Sequence, residues 1–141
     1  MGIYGNNDNI ILENKNDFIT ILNSQLPRFY GHITKLISLP NHIKSGSWLA
    51  SIYNASEQII KKVKNGSHSV YNKYDLQEGI KRFHKDTVKY ALEDNPGKTE
   101  KDFNFDAAYI HFDTLDKITD RTYLNTYMEP YVEGTKLTLR W

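Results

Sequence analysis

The chain has 141 residues, a length typical of one folded domain, and its 18 basic and 17 acidic residues almost balance. This balance argues against a binder of nucleic acid or of anionic membranes, because both classes carry an excess of positive charge. The chain contains no cysteine, which excludes disulfides and sulfur-based zinc sites and fits a cytoplasmic or virion location. We therefore predict a single domain spanning residues 1–141 whose partner is a protein.

The beginning of the chain, MGIYGNNDNIILENK, lacks the basic region and apolar core of a secretory signal peptide, so we expect no such signal. No window approaches the roughly 18 consecutive apolar residues of a membrane-spanning helix. We therefore expect no membrane partner.

Apolar residues recur at helical spacing through the first two thirds of the chain. The pattern predicts four helices, near residues 16–26, 27–39, 47–66 and 75–94. Pro27 separates the first two, because a proline inside a helix removes a backbone hydrogen bond and crowds the preceding turn.

The spacing changes to two in the last third of the chain. In DAAYIHFDT, residues 106–114, Ala108, Ile110 and Phe112 alternate with polar residues, and TKLTLRW, residues 135–141, alternates in the same way. Alternation of this kind is typical of half-buried antiparallel strands. The sequence therefore predicts an α+β fold in which four helices precede a small antiparallel sheet.

The helix stripes and the inward strand positions are expected to share one core, because each needs cover from the other. This predicted core consists of Leu49, Ile52, Ile59, Ile60, Val63, Ile80, Phe83, Ile110, Phe112, Leu137 and Leu139.

Three tyrosines recur every four residues in TYLNTYMEPYVEG, residues 122–134. Because Pro130 disfavours a helix that runs through Tyr131, we predict a helix or turn from 116 to about 123 and extended chain beyond it. Tyrosine combines a large apolar ring with a polar tip, which suits protein interfaces. Tyr123, Tyr127 and Tyr131, with the terminal Trp141, are therefore candidate binding residues. The alternative is that two of the tyrosines complete the core of the sheet.

A possible catalytic group lies on the first predicted strand. Tyr109, His111 and Asp113 would share one face as a phenol, a base and an orienting carboxylate. With Lys136 or Arg140 across a hairpin, they could cleave RNA through its own 2′-hydroxyl without a metal. The alternative is an ordinary solvated face of an antiparallel sheet, which needs polar residues at every second position.

The five histidines do not follow a metal-binding spacing, so we expect no metal and no other cofactor. His84 falls at the border of a helical apolar stripe, which favours a packed and hydrogen-bonded side chain over a ligand role.

The stretch PYVEGT, residues 130–135, resembles the Tyr-Val-Glu-x-Gly-Thr stretch near the end of siphophage neck and tail-completion proteins, small α+β subunits that assemble into rings. The likeness covers six residues, lacks the spacer before the glycine, and does not establish membership. We predict a noncatalytic interaction or assembly protein of phage or mobile-element type, either a virion neck or tail component or an inhibitor of a host protein. The partner would be another protein or a second copy. The alternative function is a small metal-independent ribonuclease that uses His111.

Overall fold

One long helix organises the part of the chain that can be described. The computed structural model describes residues 2–63, 71–134 and 137–140, and for residues 2–16 it describes the helical backbone alone. These ranges contain six α-helices and one short 3-10 helix. They are α1 (Gly2–Ser38), α2 (Ser45–Val63), α3 (Lys73–Leu92), the 3-10 helix Glu100–Asp102, α4 (Phe105–His111), α5 (Leu115–Thr119) and α6 (Arg121–Val132).

No β-strand occurs within the described ranges, so the predicted α+β fold with a C-terminal sheet is wrong. The first predicted strand is instead helix α4. Phe105, Ala108 and Phe112 are all buried, and their spacing of three and four is that of a helix. The Asn104 side chain caps α4 by accepting a hydrogen bond from the amide of Ala107 at 3.1 Å.

The second predicted strand has no regular secondary structure at residues 137–140. Leu137 and Leu139 are half-buried and pack against the core, so the alternation did identify apolar contacts. The backbone amide of Arg140 donates to the Tyr53 hydroxyl at 3.0 Å. This amide is therefore bonded to a side chain and not to a neighbouring strand.

Pro27 does not divide α1, contrary to the sequence prediction. A stripe of buried apolar side chains continues without a break across it, formed by Phe18, Leu22, Leu26, Phe29, Ile33 and Leu36. Proline removes one backbone hydrogen bond, whereas each fully buried aliphatic or aromatic side chain contributes about 1.5–3 kcal/mol. Burial on both sides of Pro27 therefore outweighs the local cost.

Pro130 lies inside the last turn of α6, which continues to Val132, so the predicted extended chain after residue 123 is also wrong. Leu124, Met128 and Val132 are buried at helical spacing. Their burial holds the helix together through the proline.

Helix α1 packs against both α2 and α3. Helix α2 runs antiparallel to α1, because Lys62 near its end pairs with Asp17 at 3.1 Å. Helix α3 runs parallel to α1, because Asp94 just after its end pairs with Lys35 at 3.1 Å. Helices α4 and α6 pack on α1, and α5 packs on α2. None of the described helices has the length and apolar content needed to span a membrane.

The predicted core is largely present in this helical arrangement. Five of its members are buried: Leu49, Ile52, Ile59, Phe83 and Phe112. Four more pack against the core at its edge: Val63, Ile80, Leu137 and Leu139. Ile60 is half-buried. Ile110 was wrongly included, because on helix α4 it points outward and is 67% exposed.

Gly31 fixes the distance between α1 and α3. A Cβ atom at this position would overlap the Cβ of Tyr90 and lie 2.9 Å from the carbonyl oxygen of Thr87. Gly31→Ala is therefore expected to destabilise the protein by about 1–3 kcal/mol, even though alanine favours helices by about 1 kcal/mol over glycine. Chemical denaturation measures this change in the free energy of unfolding.

The matched control is Gly46→Ala in α2, where the new Cβ would approach a flexible side-chain methyl group of Leu137 at 3.2 Å. This variant should be close to the wild type or more stable. A Gly31→Ala protein as stable as the Gly46→Ala protein would contradict the close α1–α3 contact.

Candidate functional site

The predicted catalytic residues Tyr109, His111 and Asp113 do not share one face, because the segment is helical. The Tyr109 hydroxyl lies 2.7 Å from Nδ1 of His84. The exposed His111 ring instead contacts the ring of Tyr127, with 4.9 Å between centroids. The phenol and imidazole that were predicted to act together therefore have different partners.

The carboxylate of Asp113 is engaged by two lysines. Lys117 Nζ lies 2.8 Å from one carboxylate oxygen, and Lys73 Nζ lies 3.0 Å from the other. The hydrogen bonds from Lys117 and then Lys73 hold the pKa of Asp113 below its ordinary value. The Asp113 carboxylate therefore links Lys73 at the start of α3 to Lys117 in α5.

His84 connects three elements of the fold. Its Nε2 lies 2.6 Å from Oε1 of Glu100 in the 3-10 helix, and its Nδ1 faces the Tyr109 hydroxyl in α4. Its ring also meets the edge of Phe105 at 5.2 Å between centroids. Burial raises the pKa of Tyr109 to about 12, so this phenol keeps its proton near neutral pH. The prediction of a packed, hydrogen-bonded His84 is confirmed.

The three tyrosines occupy successive turns on one side of α6, and all are half-buried. The rings of Tyr123 and Tyr127 pack against Phe112, with centroid separations of 5.4 and 5.0 Å. The Tyr131 ring follows Tyr127 at 6.0 Å. Part of each ring is therefore covered within the chain, and their role in binding stays a prediction. Trp141, the fourth candidate, lies outside the described residues.

An ionic junction around Asp94 was not predicted. Its carboxylate accepts hydrogen bonds from Trp48 Nε1 at 3.0 Å, Lys35 Nζ at 3.1 Å and Lys44 Nζ at 3.2 Å. The bond from Trp48, followed by those from the lysines, holds the pKa of Asp94 well below its ordinary value. The Lys35 side chain is 0% exposed, and burial lowers its pKa. The junction links the ends of α1 and α3 to the start of α2 and is primarily a stabilising feature.

An open groove lies along one side of the α1–α3 pair, next to the close contact at Gly31. It has a volume of about 470 Å³, within the range of roughly 300–1,000 Å³ that is usual for ligand pockets. Helix α1 contributes Asn23, Ser24 and Pro27 to its wall, and α3 contributes Asp86, Lys89 and Tyr90, followed by Glu93 just after its end.

The charged side chains that line the groove are mostly acidic. Among the described residues, Asp86 and Glu93 contribute two carboxylates and Lys89 one ammonium group. Because Pro27 has no amide hydrogen, the carbonyl of Asn23 also lacks its usual intrahelical donor. The groove therefore combines the half-buried ring of Tyr90 with an acidic rim.

Sequence reasoning missed this groove for an identifiable reason. Pro27 was taken as the boundary between two helices, and a proline at a boundary frees no carbonyl inside a helix. With one continuous α1, the same proline removes the usual donor of the Asn23 carbonyl. Tyr90 follows the buried Thr87 by three positions, which places it beside the α3 stripe.

Among the described residues, no group of three or more histidine, aspartate or glutamate side chains has a metal-binding arrangement. No protein-family model matches the chain, and no curated protein or solved structure matches it significantly. Its function is therefore argued from its own geometry.

Proposed function

We propose that the chain is a noncatalytic protein-binding module that uses the groove between α1 and α3. The observation that carries this proposal is the composition of the groove, in which an aromatic ring and a proline lie within an acidic rim. Protein interfaces favour such a combination, because aromatic residues provide large apolar area and the polar rim gives orientation. The proposal includes both an assembly subunit and an inhibitor of another protein.

The contacts of Tyr109, His111 and Asp113 do not support the catalytic role considered for them. Acid–base catalysis needs a base and an orienting group that converge on an accessible substrate position. Here Asp113 is paired with lysines, and Tyr109 is bonded to His84. His111 is exposed but has neither of these groups beside it as an orienting partner. The proposed function therefore does not include the ribonuclease activity considered from the sequence.

The proposal is tested by replacing Tyr90. Native mass spectrometry first establishes whether the pure protein self-associates, and affinity purification from the source organism identifies any other partner for purified binding assays. Tyr90→Ala is expected to weaken the measured affinity by about tenfold or more, as truncation of an aromatic anchor typically does. Isothermal titration calorimetry, or a dilution series for self-association, gives the dissociation constant.

Two further variants separate binding from folding. Tyr74→Ala is the matched control, because Tyr74 also lies on α3 but is 66% exposed and is not among the groove residues. Ser24→Trp fills the groove from an exposed position of α1 and should also abolish binding without disturbing the core. The proposal fails if no partner or self-association is found, or if Tyr90→Ala and Ser24→Trp both bind as tightly as Tyr74→Ala.

A further inference from the structure

We infer that the groove between α1 and α3 recognises a partner segment in which a basic side chain, arginine or lysine, stands next to an apolar one. The inference rests on the proposed function and adds the chemistry of the partner. It follows from the carboxylates of Asp86 and Glu93, the backbone carbonyl of Asn23 and the ring of Tyr90.

The charge of the groove favours a cationic group. Lys89 is the only cation among the described residues that line the groove, and its ammonium group lies 4.0 Å from a carboxylate oxygen of Asp86. Both side chains are largely exposed, at 81% and 61%, so this contact is weak and easily exchanged. Glu93 supplies a second carboxylate. An arriving guanidinium or ammonium group therefore meets a net negative charge, whereas an acidic segment would be repelled.

The backbone of α1 adds a neutral acceptor to the two carboxylates. The carbonyl of Asn23 cannot receive the usual i+4 bond, because Pro27 has no amide hydrogen, and it is therefore a candidate acceptor for the partner. Arginine presents five N–H donors and lysine three, and neither presents an acceptor. A basic side chain thus matches the two carboxylates better than a neutral amide, which carries no charge.

The apolar surfaces explain why a second, apolar side chain is expected. Arginine and lysine carry aliphatic stems that pack on apolar surface while the charged end stays near water. The half-buried Tyr90 ring can accept the cation on its face, and the largely buried Pro27 lies in the groove wall on the other helix. The groove volume of about 470 Å³ exceeds what one such stem fills, so a neighbouring apolar side chain occupies the remainder.

A peptide selection tests the inference without knowledge of the natural partner. A displayed library of random dodecapeptides is selected against the wild-type protein, and enriched peptides are synthesised and measured by fluorescence anisotropy. Arginine or lysine beside an apolar residue should be enriched. The double variant Asp86→Asn/Glu93→Gln should weaken binding by about tenfold or more, and raised salt should weaken wild-type binding. Peptides with the basic residue replaced by glutamate should not bind.

The control is a second double variant, Asp106→Asn/Glu129→Gln, which removes the same charge from exposed positions on α4 and α6. It should bind the selected peptides like the wild type. Enriched peptides that depend on Tyr90 but carry no basic residue would overturn the inference and leave the proposed function standing. Peptides that bind the Tyr90→Ala variant as tightly as the wild type would overturn both the inference and the proposed function. A selection without any enriched peptide would do the same.

Discussion

Replacing Asp94 by alanine is expected to destabilise the protein by about 3–5 kcal/mol, because it leaves the buried ammonium group of Lys35 without its counter-ion. The substitution also removes the acceptor of the Trp48 indole N–H. Chemical denaturation at neutral pH measures the loss. The effect is large because the Lys35 side chain is 0% exposed and its ammonium group is not solvated by bulk water.

Two further variants test whether the unpaired charge of Lys35 causes this destabilisation. Lys44→Met removes the exposed partner of Asp94 and should cost less than about 1 kcal/mol, as exposed ion pairs do. Lys35→Met combined with Asp94→Ala should be more stable than Asp94→Ala alone, because no buried charge then remains unpaired. If the double variant is less stable than the single variant, loss of packing and not of charge compensation explains the effect.

The sequence predicted the α2 and α3 helices because each carries a regular apolar stripe with clear signals at its ends. Leu49, Ile52 and Ile59 are buried as the spacing required. At the start of α3 the capping residue is Asn72, whose side chain and that of Asp75 bond each other's backbone amides at 3.0 Å. The sequence prediction started this helix at about residue 75. Local signals therefore located the helix but placed its start a few residues late.

The C-terminal third was mispredicted because a short segment can satisfy two periodicities at once. Ala108 and Phe112 fit both the period of a strand and the period of a helix. Phe105 decides between them, since it is buried and lies three positions before Ala108. The helix caps Asn104, Thr114 and Asp120 gave a second signal, because each precedes the first residue of a helix.

The prolines show where tertiary contacts override local preference. Pro27 and Pro130 were both predicted to interrupt helices, and both lie inside them. The Asn23 carbonyl lacks its i+4 donor only because α1 passes through Pro27. The Asp94 junction is likewise invisible in sequence, because Lys35 and Asp94 are 59 positions apart. Such contacts follow from the packing of whole helices and not from any local motif.

Acidification from pH 6.5 to 4.5 is expected to cost the protein about 2.3 kcal/mol of stability through His32, because the slope rises from about 0.7 kcal/mol per pH unit at pH 6.5 to about 1.4 kcal/mol per pH unit at lower pH. His32 is 8% exposed in α1, its Nδ1 has no hydrogen-bond partner, and its ring lies 5.6 Å from that of Tyr90. Burial, followed by the positive charges of Lys35 and Arg28, lowers the pKa of His32 to about 3.

The sign of the pH dependence follows from the lowered pKa. The folded protein keeps His32 neutral down to about pH 3, whereas the unfolded chain takes up a proton below about pH 6.5. Its stabilising contribution is therefore complete above pH 6.5, falls as the pH is lowered, and stops falling near pH 3. Asp94 and Asp113, whose pKa values are also lowered, begin to act near pH 5 and act mainly below about pH 4, where most carboxylates of the unfolded chain are protonated.

Denaturation curves at half-unit steps between pH 6.5 and 4.5 isolate the contribution of His32 from those of the carboxylates. His32→Leu should flatten the dependence over this range, because it removes the titrating ring while keeping an apolar side chain at the α1–α3 contact. His111→Gln is the matched control: its ring is exposed, so the acid slope should remain. Equal slopes for the wild type and His32→Leu would show that His32 is reached by solvent in the folded protein and that α1 and α3 do not close over it.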